Sequence, residues 1–454
     1  MNTNDHTRAK NALKNLSFAA LLVTLANYLE PQTLQLVGSR RLRSVAEASE
    51  ISAIDDHAEK LNADIERIRY LLSGITAATD EREIIDILGR QTSEDLNATL
   101  TTIPFDEILS DIDDHLWGQQ NLHTFLDLLF NARANDLKMA TKLAMVNALQ
   151  TGPTNDREEE AISRILLSSH GKDLTDLKIG IDLGKDHRTL HELIYVDVDN
   201  EIYREAILNH IAAEGASLGN VGVKVLSDID DTIYASLHDE SFPKDSLYPG
   251  VRELYKQLGN LTFLTARPFT RIGYYEAETH QLLDRMEFIE RSLLMGSLSA
   301  LLTPELMGRK KALNFNIYEK LFPEFRFIFF GDSGQGDILT ATLIQKSHLE
   351  RVSSALIHDI RIDGALGNPK ISMTERTAHS SSTVAPIFIY DTYVGAATRL
   401  FTQGLLSKEQ LRLVMTAAGK DLEAISFEND SVKVARQAEL AADLAHATSL
   451  IEPN

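Results

Sequence analysis

The chain has 454 residues, 43% of them hydrophobic and 24% charged, which is globular and long enough for two or three domains. Its formal charge is −21, with 45 Lys and Arg against 66 Asp and Glu, so it is a poor generic binder of nucleic acid or of anionic membranes, and no nucleic-acid partner is expected. It has no cysteine, which excludes disulfides, thiolate zinc sites and a cysteine nucleophile.

Residues 1–150 read as an all-α region of unassigned role, and its protein partner is open. Apolar residues recur at helical spacing in Leu13, Leu16, Ala20 and Leu21, in Ile65, Ile68, Leu71 and Leu72, and in Leu122, Phe125, Leu126 and Leu129. The apolar run 16–29 follows Lys10 and Lys14 but is broken by Ser17, Thr24 and Asn27. It is too short to span a bilayer and reads as an amphipathic helix, so a cytoplasmic location is the default expectation. Gly38-Ser39 and Gly74 are the breaks, and Arg40-Arg41-Leu42-Arg43 reads as a solvated helix face.

Thr151-Gly152-Pro153-Thr154-Asn155-Asp156 is the strongest linker signal. Residues 157–220 then read as an α/β lead-in: a helix over 157–167, strand-like runs at 177–183 and 193–198, and a helix near 203–214. Two motifs here are set aside. Gly180-Ile181-Asp182-Leu183-Gly184 resembles the first phosphate loop of the ATPases related to actin and the heat-shock chaperones, but Lys185 stands where a small hydroxyl residue is expected. Asp197-Val198-Asp199-Asn200-Glu201 reads as a helix start, where acidic residues suit the dipole.

Residues 221–394 alternate strand and helix. Apolar runs lie at 223–226, 261–264, 325–330, 355–360 and 386–390, separated by helical stretches at 250–257, 274–283 and 311–321. This predicts an α/β fold with a parallel sheet and helices on both faces, binding its ligand at the carboxyl ends of the strands. The stretch 379–383 reads as a polar loop. Residues 395–454 return to helix, most clearly at 405–418 and 432–451.

The strand endings carry the chemistry. The first closes on Asp228-Ile229-Asp230-Asp231-Thr232, three carboxylates whose mutual repulsion at a buried strand tip calls for a divalent cation. The second ends in Thr265-Ala266-Arg267-Pro268. Arg309-Lys310-Lys311 opens a helix, and the third strand named here ends in Gly331-Asp332-Ser333-Gly334-Gln335-Gly336-Asp337. In this order they suggest phosphoryl transfer: a carboxylate nucleophile, a second carboxylate two residues on, a hydroxyl and a lysine for the phosphoryl oxygens, and a further carboxylate for a metal.

This order resembles the haloacid dehalogenase-like (HAD) phosphotransferase superfamily. Ser227–Ile233, Tyr248-Pro249-Gly250-Val251, Thr265–Pro268, Leu321-Phe322-Pro323 and Gly331–Asp337 are similar to the catalytic domain of the actin-patch-type phosphatidate phosphatases over roughly residues 175–420. Tyr393-Val394-Gly395-Ala396-Ala397 resembles the tail of bacterial members. The resemblance implies a HAD-like Rossmannoid sheet and a Mg²⁺-dependent phosphatase acting on phosphatidate through an aspartyl-phosphate. Asp228 would be the nucleophile and Asp230 the acid and base. Thr265 and Lys311, with Lys310 as the alternative lysine, would hold the transferring oxygens. Asp332 would bind Mg²⁺ with Asp228 and Asp230, supported by Asp337. Arg267, Thr232 and Ser333 would face the substrate, with Arg267, Arg271, Arg309 and Lys310 as a basic patch for the headgroup. Only a flap and a small insert fit between these motifs, which favours a large or membrane-embedded substrate and a peripheral membrane contact. A soluble phosphomonoester or phosphoprotein substrate, and an inactive scaffold, remain the alternatives.

Overall fold

A computed structural model of the chain describes residues 39–74, 76–112, 120–150, 153–184, 188–236, 238–268, 274–289, 291–296, 303–334, 336–360 and 370–452. The chain divides into two compact units, Met1–Asp64 and Ile65–Asn454. The apolar run 16–29 and Gly38 lie outside the described residues. In the first unit the description begins with the helix Ser39–Leu72, which includes Arg40 to Arg43.

The second unit opens on the end of that helix, where Ile65, Ile68, Leu71 and Leu72 are buried at the spacing that predicted them. The helix stops before Gly74, whose φ of +119° continues no helix. The helices Ala78–Arg90, Ser93–Thr102, Phe105–Asp111, Gln120–Asp127 and Met139–Ala148 follow, with Phe105 and Phe125 stacked at 5.9 Å between ring centroids. Among the described residues the region before the sheet is all helical. No described helix is long and apolar enough to cross a membrane.

Two expected strands are helices. The run 177–183 lies mostly in the helix Gly171–Asp182, and 193–198 forms a single π-helical turn, Leu193–Asp197. Their buried residues explain the difference. Leu174, Leu177 and Ile181, and Leu190, Leu193, Ile194 and Val198, fall at intervals of three and four, and that period outweighs the β-branched composition. A capping box of Thr189 and Glu192 starts the second segment. Asn200 caps the helix Glu201–Leu218 through a 3.0 Å bond from the Ile202 amide, so the second acidic pair does begin a helix.

The sheet has six parallel strands in the order β3-β2-β1-β4-β5-β6. They are β1 Gly222–Ser227, β2 Leu261–Pro268, β3 Arg291–Gly296, β4 Phe325–Asp332, β5 Val352–His358 and β6 Ile387–Tyr390. The edge strand β3 was not among the expected strands, its apolar run being only Leu293 to Met295. With the helix Tyr274–Arg285 it turns the presumed small insert into a crossover that widens the sheet. The loop expected at 379–383 begins inside a further helix, Met373–Ser380, which the Ser372–Glu375 capping box starts.

Helices cover both faces. On one, Val225, Phe263, Ile328, Phe330 and Leu356 share a core with Leu254, Val394, Val414, Leu440 and Ile451 of the helices Val251–Leu258, Tyr393–Thr402, Lys408–Ala424 and Asp430–Ile451. On the other lie the helices Pro304–Tyr318 and Asp337–His348, with Phe315 edge-on to Phe327 at 5.2 Å. From β1 the chain builds outward through β2 and β3, then restarts on the other side with β4. That switch point opens a crevice at the carboxyl ends of β1 and β4.

Candidate active site

Asp228 follows the last residue of β1. Its amide continues the ladder to the Phe330 carbonyl at 3.0 Å, which sets it beside the end of β4, where Asp332 closes the strand. Ser227 pairs with Phe263, so Thr265 stands at the same end of β2. Asp228, Thr265, Asp332, Asp337 and Lys311 are all buried.

Lys311 reaches the crevice because two helices approach closely. A side chain on Gly308, one turn before it, would strike the Gly336 carbonyl oxygen at 2.5 Å. Gly336 has φ +87° and lies against the Pro304 carbonyl. The Lys311 ammonium then sits 2.8 Å from Asp228 Oδ1 and 2.7 Å from Asp337 Oδ1. Lys310 is half-buried, and Lys311 is the lysine that meets the carboxylates.

Asp228, Asp332 and Asp337 each offer a carboxylate oxygen, and these lie within 4.8 Å of one another. One ammonium faces three carboxylates. Burial, then Asp337 and Asp230, push Asp228 up to about 7 against the pull of Lys311. Burial, then Asp337 and Asp228, raise Asp332 well above the ordinary range. Burial works against the Lys311 ammonium, but Asp228, Asp337 and Asp332 overcome it and raise its pKa. The excess negative charge and the hard oxygen donors fit a divalent cation such as Mg²⁺.

Asp230 is half-buried, and Asp228 is not, so Asp230 is the more open of the pair. Tyr234 donates to Asp230 Oδ1 at 2.7 Å. Thr232 is buried, and its hydroxyl finds no hydrogen-bond partner among the described residues. Ser333 donates to Asp359 Oδ1 at 3.3 Å. Arg267 lies on β2 two residues past Thr265. Arg309 is exposed and paired with Glu305 at 2.9 Å, and Arg271 lies outside the described residues.

Sequence reasoning assigned no role to Asp231, Tyr234 or Tyr393. Asp231, the third carboxylate of the strand tip, has φ +56° and binds its own loop. Its Oδ1 accepts from the Ser236 amide at 2.8 Å, and its Oδ2 from the His238 amide at 2.8 Å. It therefore shapes the segment that carries Tyr234. The Tyr393 hydroxyl donates to the Thr232 carbonyl at 2.6 Å, fastening the nucleophile loop to the helix Tyr393–Thr402. The adjacent Asp230-Asp231 pair held the available signal, since two neighbouring side chains do not face one way.

No curated protein and no solved structure matches the chain significantly. Residues 223–359, which carry every strand-end group of this site, match the family model described as the catalytic domain of phosphatidate phosphatase APP1.

Proposed function

We propose that the chain is a Mg²⁺-dependent phosphatase of the HAD-like superfamily, of the bacterial actin-patch type, that hydrolyses phosphatidate to diacylglycerol. The observation that carries this reading is Lys311 bridging Asp228 and Asp337, with Asp332 alongside, at the carboxyl ends of β1 and β4. The family match over 223–359 supports the lipid substrate.

Asp228 attacks phosphorus, and its new P–O bond replaces the bond to the leaving oxygen. Asp230 gives that oxygen its proton. The resulting Asp230 carboxylate then takes a proton from water as the water attacks phosphorus. Phosphate leaves and Asp228 is restored. Tyr234 holds Asp230 in place through both proton transfers. Lys311 and Thr265 bind the phosphoryl oxygens, and Lys311 keeps its charge because carboxylates surround it. Asp228, Asp332 and the Asp230 carbonyl would hold Mg²⁺, with Asp337 orienting Lys311. When bound, the ion neutralises the carboxylates and the developing charge on the phosphoryl group. Arg267, Thr232 and Ser333 are the proposed substrate-side residues. A lipid phosphate would be met at a bilayer surface by peripheral contact.

The test is phosphate release by the purified chain, with Mg²⁺ or EDTA, from phosphatidate in mixed micelles beside soluble phosphomonoesters. Asp228→Asn is the control. Release from phosphatidate that needs both Mg²⁺ and Asp228 is expected. Release from soluble esters alone would keep the mechanism and discard the lipid. No release from any substrate would overturn the reading.

A further inference from the structure

A second group of metal-binding side chains lies in the helical layer, apart from the acidic crevice. His210 and Glu214 stand four apart on the helix Glu201–Leu218, so both project from one face. His170 comes to them from the turn before the helix Gly171–Asp182. One donor atom from each of the three lies within 4.8 Å of the others. The His170 and His210 rings meet edge to face at 5.2 Å.

The surroundings orient these donors. His210 Nε2 lies 2.8 Å from the Ser169 carbonyl. A carbonyl only accepts, so Nε2 carries the proton and Nδ1 of the neutral ring keeps a lone pair. Glu214 Oε2 accepts from the Gly171 amide at 2.7 Å, which leaves Oε1 to His170. Oε1 lies 3.0 Å from His170 Nδ1. Donors bound to one tetrahedral ion lie roughly 3.3 Å apart, so this pair is already close to that spacing. An imidazole held by a carbonyl and a carboxylate held by an amide are the outer partners that metal ligands usually have. Glu214 as a helix cap explains its bond to Gly171, but not the gathering of a donor atom from each of two imidazoles within 4.8 Å of its carboxylate.

We propose that His170, His210 and Glu214 form a site for a borderline transition-metal ion, Zn²⁺ or Co²⁺, with water completing its coordination. Imidazole nitrogen with one carboxylate suits such ions and does not suit Mg²⁺. The ion ties the turn at 168–171 to the helix Glu201–Leu218. That helix packs Gly215 against Pro323, just ahead of β4, so the site braces the layer beneath the strand that ends in Asp332. The site does not depend on the phosphatase reading.

The experiment titrates Zn²⁺ calorimetrically into the chelator-stripped full chain in excess Mg²⁺, and records the visible absorption of a Co²⁺ titration. His170→Ala, His210→Ala and Asp332→Asn are run in parallel. His170 is 68% exposed, so its removal should leave the metal-free melting temperature unchanged, which separates lost ligation from misfolding. One equivalent of Zn²⁺ should bind the wild type and Asp332→Asn alike, with affinity falling at least roughly tenfold in each histidine variant. Two results would overturn the site. One is equal affinity in His170→Ala and wild type. The other is Zn²⁺ binding that disappears only with Asp332→Asn, which would place the ion in the acidic crevice.

Discussion

Two clusters of buried charge flank the sheet, and they differ in balance. Beneath it, Lys178 lies 2.8 Å from Glu324 and also donates to the Leu321 carbonyl at 2.8 Å, while Thr175 donates to Glu324 at 2.7 Å. Lys224 sits 3.6 Å from Asp182 and 3.9 Å above the Phe322 ring centroid, and Tyr318 donates to Asp182. Two lysines meet two carboxylates, and the cluster fastens the helix Gly171–Asp182 to β1 and the start of β4. At the carboxyl ends of the strands, one lysine meets three carboxylates. A balanced buried cluster is structural glue. An unbalanced one raises the pKa of its own carboxylates, as at Asp228 and Asp332, and fits a cation that would offset the excess charge.

The comparison breaks most visibly at Asp228. Asp228→Asn should lower phosphate release on the order of 10⁴-fold or more, yet leave the melting temperature in chelator unchanged or higher, because one repelling charge is gone. A lower melting temperature would mean the crevice is balanced after all. Glu324→Ala should do the reverse. It strands Lys178 in the interior and should cost about 3–5 kcal/mol in urea unfolding, with metal binding in the crevice intact in whatever fraction stays folded.

Tyr234→Phe sharpens the contrast within the site. Losing a hydrogen bond to a carboxylate should reduce kcat by about tenfold for phosphatidate, whose alkoxide needs a proton. An activated aryl phosphate, which leaves without one, should release its phenol in the first turnover at nearly the wild-type rate. Equal losses on both substrates would mean Tyr234 serves the fold and not Asp230. The smallest effect is in the balanced cluster. Burial, opposed by Glu324, lowers Lys178 to about 8 from 10.5. A lysine lowered in the folded state costs stability while it is charged, below about 8, and that cost is relieved as the pH rises toward 10.5. Unfolding free energy should therefore rise by roughly 1–3 kcal/mol between about pH 8 and pH 10 relative to Lys178→Met. Parallel slopes for the two proteins would remove Lys178 as the titrating group.

The strands that carry the site were legible because each is a short apolar run ending in the residues that define it. Val223 to Leu226 with Asp228, and Phe325 to Phe330 with Asp332, are both of this kind. The runs 177–183 and 193–198 misled because composition favoured strand while the buried residues followed the helical period. Strand β3 went unread because its apolar run is only Leu293 to Met295, and its place is set by pairing Leu293 with Phe263 and by Arg291, whose guanidinium binds Asp284 at 2.7 Å and the Phe288 carbonyl at 2.7 Å.

The sequence by itself determined the parallel α/β architecture and the groups at its strand ends, because hydrophobic period and residue type are local properties. It kept Lys310 as an alternative to Lys311, and it gave Asp231 no role beside Asp228 and Asp230. Those choices depend on which side chain a close helix contact at Gly308 and Gly336, or a left-handed residue at 231, turns inward. The balance of each buried cluster is likewise a tertiary fact. Lys178 and Glu324 are 146 residues apart in sequence, and only packing brings their charges together.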